Sequence, residues 1–220
     1  MSVYISTEEL KYTLELTGES FADADIDKAV ASASRTIDKL CGQRFYTTSV
    51  DETRYFEIEY SGVGANAAHP FTSTGYTSGT GSDRIRVGAL QSVTSLTSDP
   101  NGDGSFADHW TATDYVLDPR NATLDGIPYR WVIRHPRGQF YFPVGYPGAV
   151  KIVGKFGWTT PPAEIVAATS MVASRLLRRM REAPFGVVSV GVDVGAVARI
   201  SNVDPDVRTL LQPYMDAPFA

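Results

Sequence analysis

Two amphipathic stripes, far apart in the chain and both at helical spacing, set the terms on which this sequence can fold. Ile26, Ala29, Val30, Ala33, Ile37 and Leu40 recur at three- and four-residue steps and form the first. Ile165, Thr169, Val172, Leu176 and Met180 form the second, widened by Val166, Ala173 and Leu177. Neither stripe can stay in water, and the economical way to bury both is against each other. The stretch between them must then leave the helical body and return to it.

That stretch reads as β structure. Tyr55 to Tyr60, Arg84 to Val87, Tyr115 to Leu117, Tyr129 to Arg134 and Ala149 to Phe156 are short runs rich in β-branched and aromatic residues, divided by Gly, Pro, Asn and Asp. Arg84-Ile85-Arg86-Val87 alternates charged and apolar residues, as a half-buried strand does. Residues 61–82 are mostly Gly, Ser, Thr and Ala, which predicts a long mobile loop.

The ends carry local signals. Ser6-Thr7-Glu8-Glu9 is a capping box, with Leu10 and Leu14 on one face behind it and Gly18 expected to stop the helix. Gly42 stands where the second helix needs a left-handed cap. Pro184 should end the third long helical run, and residues 185–200 read as a small-residue strand or hairpin turning at Gly186, Gly191 and Gly195. Asp204-Pro205-Asp206 supplies an N-cap and a first-turn proline for a last helix bearing Val207, Leu210, Leu211 and Tyr214. The expected class is therefore α+β: a small helical bundle from residues 1–43 and 161–220, with a β-rich lobe over residues 44–160 inserted in it.

Composition excludes several functions. The protein of 220 residues has a formal net charge of -5, so no bulk electrostatic attraction draws it to nucleic acid or to an anionic membrane. No apolar run approaches the ~20 residues that span a bilayer, and the first residues lack the basic region and apolar core of a signal peptide. The single cysteine, Cys41, rules out an intrachain disulfide and fits a reducing cytoplasm. A soluble protein made inside a cell is expected.

Charge is uneven along the sequence. Glu8, Glu9, Glu15, Glu19, Asp23, Asp25 and Asp27 crowd the start, whereas Arg175, Arg178, Arg179 and Arg181 crowd one later stretch. Such regions can pair within a subunit or draw neighbouring copies head to tail, the contact that closes rings. Both remain open from sequence, with Arg175, Arg178, Arg179, Glu8 and Glu9 the candidate intersubunit residues. Arg175, Arg178 and Arg179 could also touch phosphates, a reading the negative net charge disfavours.

Chemistry is sparse. Asp99-Pro100-Asn101-Gly102-Asp103-Gly104 opens like a calcium loop, but Trp110 occupies the position that requires a bidentate Glu. Asn-Gly and Asp-Gly are turn dipeptides, and a plain turn is the better reading. His69, His109 and His135 share no ligand spacing, and Cys41 reads as a small buried residue. Gly186-x-x-Ser189-x-Gly191 lacks the nucleophile-elbow spacing, and no Gly-rich run precedes a Lys-Ser or Lys-Thr pair. No catalytic residue, cofactor or metal is expected, and the sequence does not read as an enzyme.

The order of features resembles the head-to-tail adaptor (head-tail connector, head completion) proteins of tailed bacteriophages, in particular the actinobacterial-siphophage type. The likeness is carried by Ile37-Asp38-Lys39-Leu40-Cys41-Gly42-Gln43-Arg44-Phe45-Tyr46 and by Asp114-Tyr115-Val116-Leu117-Asp118-Pro119-Arg120-Asn121-Ala122. It continues through Phe156-Gly157-Trp158 before paired prolines, Ala173-Ser174-Arg175-Leu176, Pro184-Phe185-Gly186, and the ending from Asp204 to Tyr214. Residues 61–82 are outside it and look like a local elaboration.

This resemblance implies a virion protein at the head-tail interface, assembled in the bacterial host cytoplasm. Such proteins form a homo-oligomeric, dodecameric ring beneath the portal protein, extend the DNA channel, and receive a downstream stopper or tail terminator. Genomic DNA passes through the lumen without specific binding, and no membrane is involved. The C-terminal segment docks on the portal, which by analogy assigns Leu210, Leu211, Tyr214 and Phe219 to that contact. Another neck protein, a stopper or tail terminator, is the alternative, and a DNA-binding module a further one.

Overall fold

The computed structural model describes residues 2–14, 22–58, 81–182 and 204–215. In sequence order its elements are α1 (Thr7–Thr13), α2 (Asp23–Cys41), β1 (Glu52–Phe56), β2 (Gly81–Ser82), β3 (Arg84–Ser98), β4 (Asp108–Trp110), β5 (Tyr115–Asp118), α3 (Ala122–Asp125), β6 (Tyr129–Arg134), β7 (Phe142–Pro143), β8 (Val150–Phe156), α4 (Ala163–Glu182), α5 (Pro205–Leu211) and a 3-10 turn over Gln212–Tyr214. The class is α+β. Residues 1–46 and 160–220 form one compact unit and residues 47–159 another.

In the helical unit α1 begins with the expected capping box, the Ser6 hydroxyl accepting from Glu9 N–H while the Glu9 carboxylate accepts from Ser6 N–H. The helix ends at Thr13, and Gly18 lies outside the described residues. α2 ends on Gly42 at φ 66°, a conformation glycine adopts without the Cβ penalty. Its inner face, Ile26, Ala29, Val30 and Ala33, packs with Ala173 and Leu177 of α4 and with Ile5 and Leu10. The alanines let the two helices approach closely, and each large side chain buried there contributes about 2 kcal/mol.

The buried line of α4 runs through Ile165, Ala168, Thr169, Ala173 and Leu177, so it follows the expected stripe at its start and its widened flank toward its end. Val172 and Leu176 are half-buried, and Met180 is exposed. Small Ala168 and Ala173 on this line let α4 approach α2 closely. Residues 183–203, which include the expected hairpin, lie outside the described residues.

The β unit holds an antiparallel sheet of order β1-β8-β3-β6-β5, with β4 pairing the far end of β3 and a separate β2–β7 pair. Its core is built on Ile85, Leu90, Val132, Ile152 and Phe156, with Trp110 stacked on Phe142 at a centroid distance of 4.4 Å. The indole N–H of Trp110 donates to the Ser98 hydroxyl at 2.8 Å, so the ring is buried with its polar atom satisfied.

Two strands differ from expectation. The alternating run Arg84 to Val87 is only the start of β3, which continues to Ser98 because Gly88, at φ 71°, lies where the register with β6 shifts and lets the strand bend without stopping. β1 starts and stops earlier than the Tyr55–Tyr60 run, since its partner β8 begins at Val150 opposite Phe56. Ahead of Val150 the backbone leading into β8 turns away at Gly148, φ 63°. Of the expected long loop, Gly81 and Ser82 form β2, and the preceding residues 61–80 lie outside the described set.

Candidate assembly surfaces

The C-terminal helix is fastened where α2 ends and α4 begins. Asp204 caps α5 by accepting from Asp206 N–H at 3.2 Å, and Val207 and Leu211 are buried. The Tyr214 ring meets Phe45 edge-on at 5.7 Å, its carbonyl accepts from Gln43 Nε2 at 2.7 Å, and its hydroxyl donates to Glu164 Oε2 at 2.9 Å. Burial, and then the bond to Glu164, push the Tyr214 phenol up to about 12. The Glu164 carboxyl is held below its usual range by its own backbone N–H and by Tyr214.

Of the residues that resemblance assigned to a portal contact, Leu211 is thus fully enclosed within its own subunit. Leu210 and Tyr214 are half-buried, and Phe219 lies outside the described residues. The clip leaves Met215, bonded through its N–H to Leu211 O, as the last described residue before the tail.

The charged candidates gather at the opposite end of this unit. Ile26 near the start of α2 shares a cluster with Leu177 near the end of α4, so the two helices run antiparallel. The acid-rich start of α2 and the arginine-rich end of α4 therefore stand at one end of the helical unit. Arg175 faces Asp204 at 3.8 Å, while Arg178 and Arg179 are exposed. Glu8 is 3.7 Å from Lys11, which holds Asp23 at 2.7 Å, and Glu9 is engaged in the capping box. Sequence order separated the two charge groups, and the antiparallel pairing unites them.

A polar clip near the N-terminus escaped sequence reading. The Tyr4 hydroxyl accepts from Phe45 N–H at 2.9 Å and donates to Asp38, while Arg35 bonds Asp38 Oδ2 at 3.2 Å and donates to Ser2 O at 2.8 Å. Arg35 and Arg44 each lie 5.4 Å from the Tyr46 ring centre. Burial raises Tyr4 and Asp38 above their ordinary values, and for Asp38 the Tyr4 hydrogen bond and the Arg35 charge oppose that rise. Tyr4 stands 34 residues from Asp38 and 41 from Phe45 in sequence, so no local pattern announces these bonds.

In the β unit, the calcium-like loop is a turn organised by one carboxylate. Asp99 is 4% exposed and accepts from the backbone N–H groups of Asn101, Gly102, Asp103 and Gly104. Asp114 does similar work elsewhere, taking the Thr111 hydroxyl and N–H, which hold its carboxyl below the usual range. Beside the Asp99 loop the exposed Tyr55 meets the half-buried Phe106 at 5.8 Å, and Lys151 lies 4.4 Å from the Phe106 ring. Among the described residues no group of three His, Cys, Asp or Glu could hold a metal ion, and no helix is long and apolar enough to cross a membrane. His109 is exposed on β4, His135 N–H donates to Asp114 O, His69 lies outside the described residues, and Cys41 is buried.

No protein-family model and no curated protein matches the sequence. Solved structures do match the fold. One match is to a structure described as the virion of a native gene transfer agent particle, with a TM-score of 0.50 and 13% identity over 99% of this protein and 93% of that one. Another is to the neck of an empty gene transfer agent particle computed with C6 symmetry, at TM-score 0.49, 13% identity and the same coverage of 99% and 93%. At such identity the likeness to the virion structure defines a shared fold.

Proposed function

We propose that this protein is a structural neck protein of a tailed phage or phage-like particle, the head-to-tail adaptor whose ring lies beneath the portal and joins head to tail. The observation that carries the reading is the fold shared with a component of a gene transfer agent virion, over nearly the whole length of both proteins. The ordered motifs from Ile37 to Tyr46, from Asp114 to Ala122 and from Asp204 to Tyr214 point the same way. Fold analogy supplies the role, since a fold alone does not fix function.

In this reading the protein works as a homo-oligomer, a dodecamer, and its partners are the portal and a downstream stopper or tail terminator. Arg178 and Arg179, exposed at the end of α4, reach acids such as Glu8 of the next subunit, a heterologous contact that closes a ring. By the resemblance, Leu210, Tyr214 and Phe219 belong to the portal contact. A net charge of -5 suits a channel that conducts DNA without gripping it, because every neutralised phosphate would add affinity. The remaining acids of α1 and α2, or those of the β unit, then face the lumen.

Deleting this protein from its particle tests the role. DNA-filled heads and separate, complete tails are expected, and normally joined particles would overturn the proposal.

A further inference from the structure

The loop from Asp99 to Gly104 contains Asn101-Gly102 and Asp103-Gly104, the sequence settings in which an amide or carboxyl Cγ is most open to attack by the next backbone nitrogen. Glycine offers no Cβ to hinder that approach. At Asn101 the Gly102 nitrogen would lose its proton and form a bond to Asn101 Cγ. The Cγ–Nδ2 bond would break, and ammonia would leave with the proton. Water then opens the resulting five-membered imide at either carbonyl, giving aspartate or isoaspartate. Asn101 and Gly102 are both exposed, so water and base have access.

The folded loop opposes the first step. Gly102 N–H is donated to Asp99 Oδ1 at 2.9 Å, so the nucleophilic nitrogen is committed to a carboxylate and not to Asn101 Cγ. Deprotonating it there would set a second anion against Asp99, which like-charge repulsion disfavours. Gly104 N–H, the corresponding nucleophile for Asp103, is held by the other oxygen of the same carboxylate at 2.6 Å. Asp99 is 4% exposed, so competing water screens this pairing little. Tyr146 lies against Gly102 so closely that an added Cβ would come within 2.5 Å of its ring, which limits reorientation of the loop.

We propose that Asn101 is a latent deamidation site held closed by Asp99, one buried carboxylate locking both reactive dipeptides of the loop. Opening the lock would turn Asn101 into a further acid beside Asp99 and Asp103, adding like charge to a turn already organised around one.

The test incubates the whole folded protein at neutral pH and follows residue 101 by peptide mass mapping, beside a synthetic peptide spanning residues 98–108. Asn121 and Asn202, followed by Ala and Val, serve as internal references. The folded protein should convert at least about tenfold more slowly than the peptide, the ratio that one pKa unit of anion repulsion gives. Asp99→Asn, isosteric and uncharged, should move the rate toward the peptide's, and Asp99→Ala further. Tyr146→Ala, which frees the loop but leaves the carboxylate in place, should raise the rate less than Asp99→Asn does. Equal rates in folded protein and peptide would overturn the proposal, and so would a folded Asp99→Asn variant as slow as wild type. Should Asp99→Ala not fold, the isosteric variant and the peptide still decide.

Discussion

The Tyr214 hydroxyl donates to the Glu164 carboxylate at 2.9 Å, joining the 3-10 turn that closes α5 to the first turn of α4. Because the bond requires a protonated phenol and an ionised carboxylate, it makes the clip sensitive to pH at both extremes. Tyr214 has its folded value raised, so its contribution is fully present below the ordinary tyrosine value of about 10 and is lost as pH climbs through about 12. Glu164 is lowered, so its contribution is present above the ordinary glutamate range and disappears as pH falls through the depressed folded value. A difference absorbance titration of wild type against Tyr214→Phe should show one phenol ionising near 12. A Tyr214 that titrates at the ordinary value would contradict the clip.

Removing the Tyr214 ring altogether should do more than removing its hydroxyl. Tyr214→Ala loses the edge-on contact with Phe45 and should destabilise the protein by about 2 kcal/mol, measured by urea unfolding. Tyr214→Phe keeps that contact and should cost less.

Tyr4→Phe should be costly for its size. Tyr4 is 5% exposed, and its hydroxyl is the acceptor for Phe45 N–H, in a fully buried residue. Leaving that donor unmatched should cost about 2 kcal/mol. Unfolding midpoints equal to wild type would show that the N-terminal clip carries no stability.

Two glycines should respond differently to alanine. At Gly154 a Cβ would come within 2.0 Å of the Ser92 carbonyl, where the β3–β8 register shifts, and backbone cannot yield cheaply. Gly154→Ala should cost at least about 3 kcal/mol. At Gly126, φ 67°, a Cβ meets nothing within 4 Å, so only the left-handed backbone is penalised, by about 1 kcal/mol. Thermal unfolding of the two variants checks the order.

Arg178→Glu combined with Arg179→Glu should leave subunit stability within about 0.5 kcal/mol of wild type, as exposed sites do. Self-association on the portal should weaken, and Glu8→Lys added to the same variant should recover part of it. Sedimentation of the mixed complexes checks this, and unchanged association would remove these arginines from the interface.

What the sequence disclosed was local. The Ser6–Glu9 capping box, the Gly42 cap and the Asp204-Pro205 start each depend on neighbours within a turn, and each is present. The long helices were legible from their stripes, although the choice of small Ala168 and the exposure of Met180 depend on what α4 packs against. The length of β3 and the limits of β1 depend on the strands beside them, so local pattern shows only Arg84 to Val87 of β3 and only Tyr55 and Phe56 of β1. Of the candidate surfaces, the arginines and acids were visible as charge runs, but their meeting at one end follows from the antiparallel packing of α2 and α4. Tyr214 was chosen for a partner protein, and its contacts with Phe45 and Glu164 could not be read from residues so distant in sequence.

The most direct test of the central claim is electron microscopy of the purified protein mixed with the portal of its own particle, with the mass and symmetry of the complex determined. A closed ring of this protein stacked coaxially on the portal is expected. A protein that ignores the portal and joins isolated tails, or one that binds neither, would contradict it.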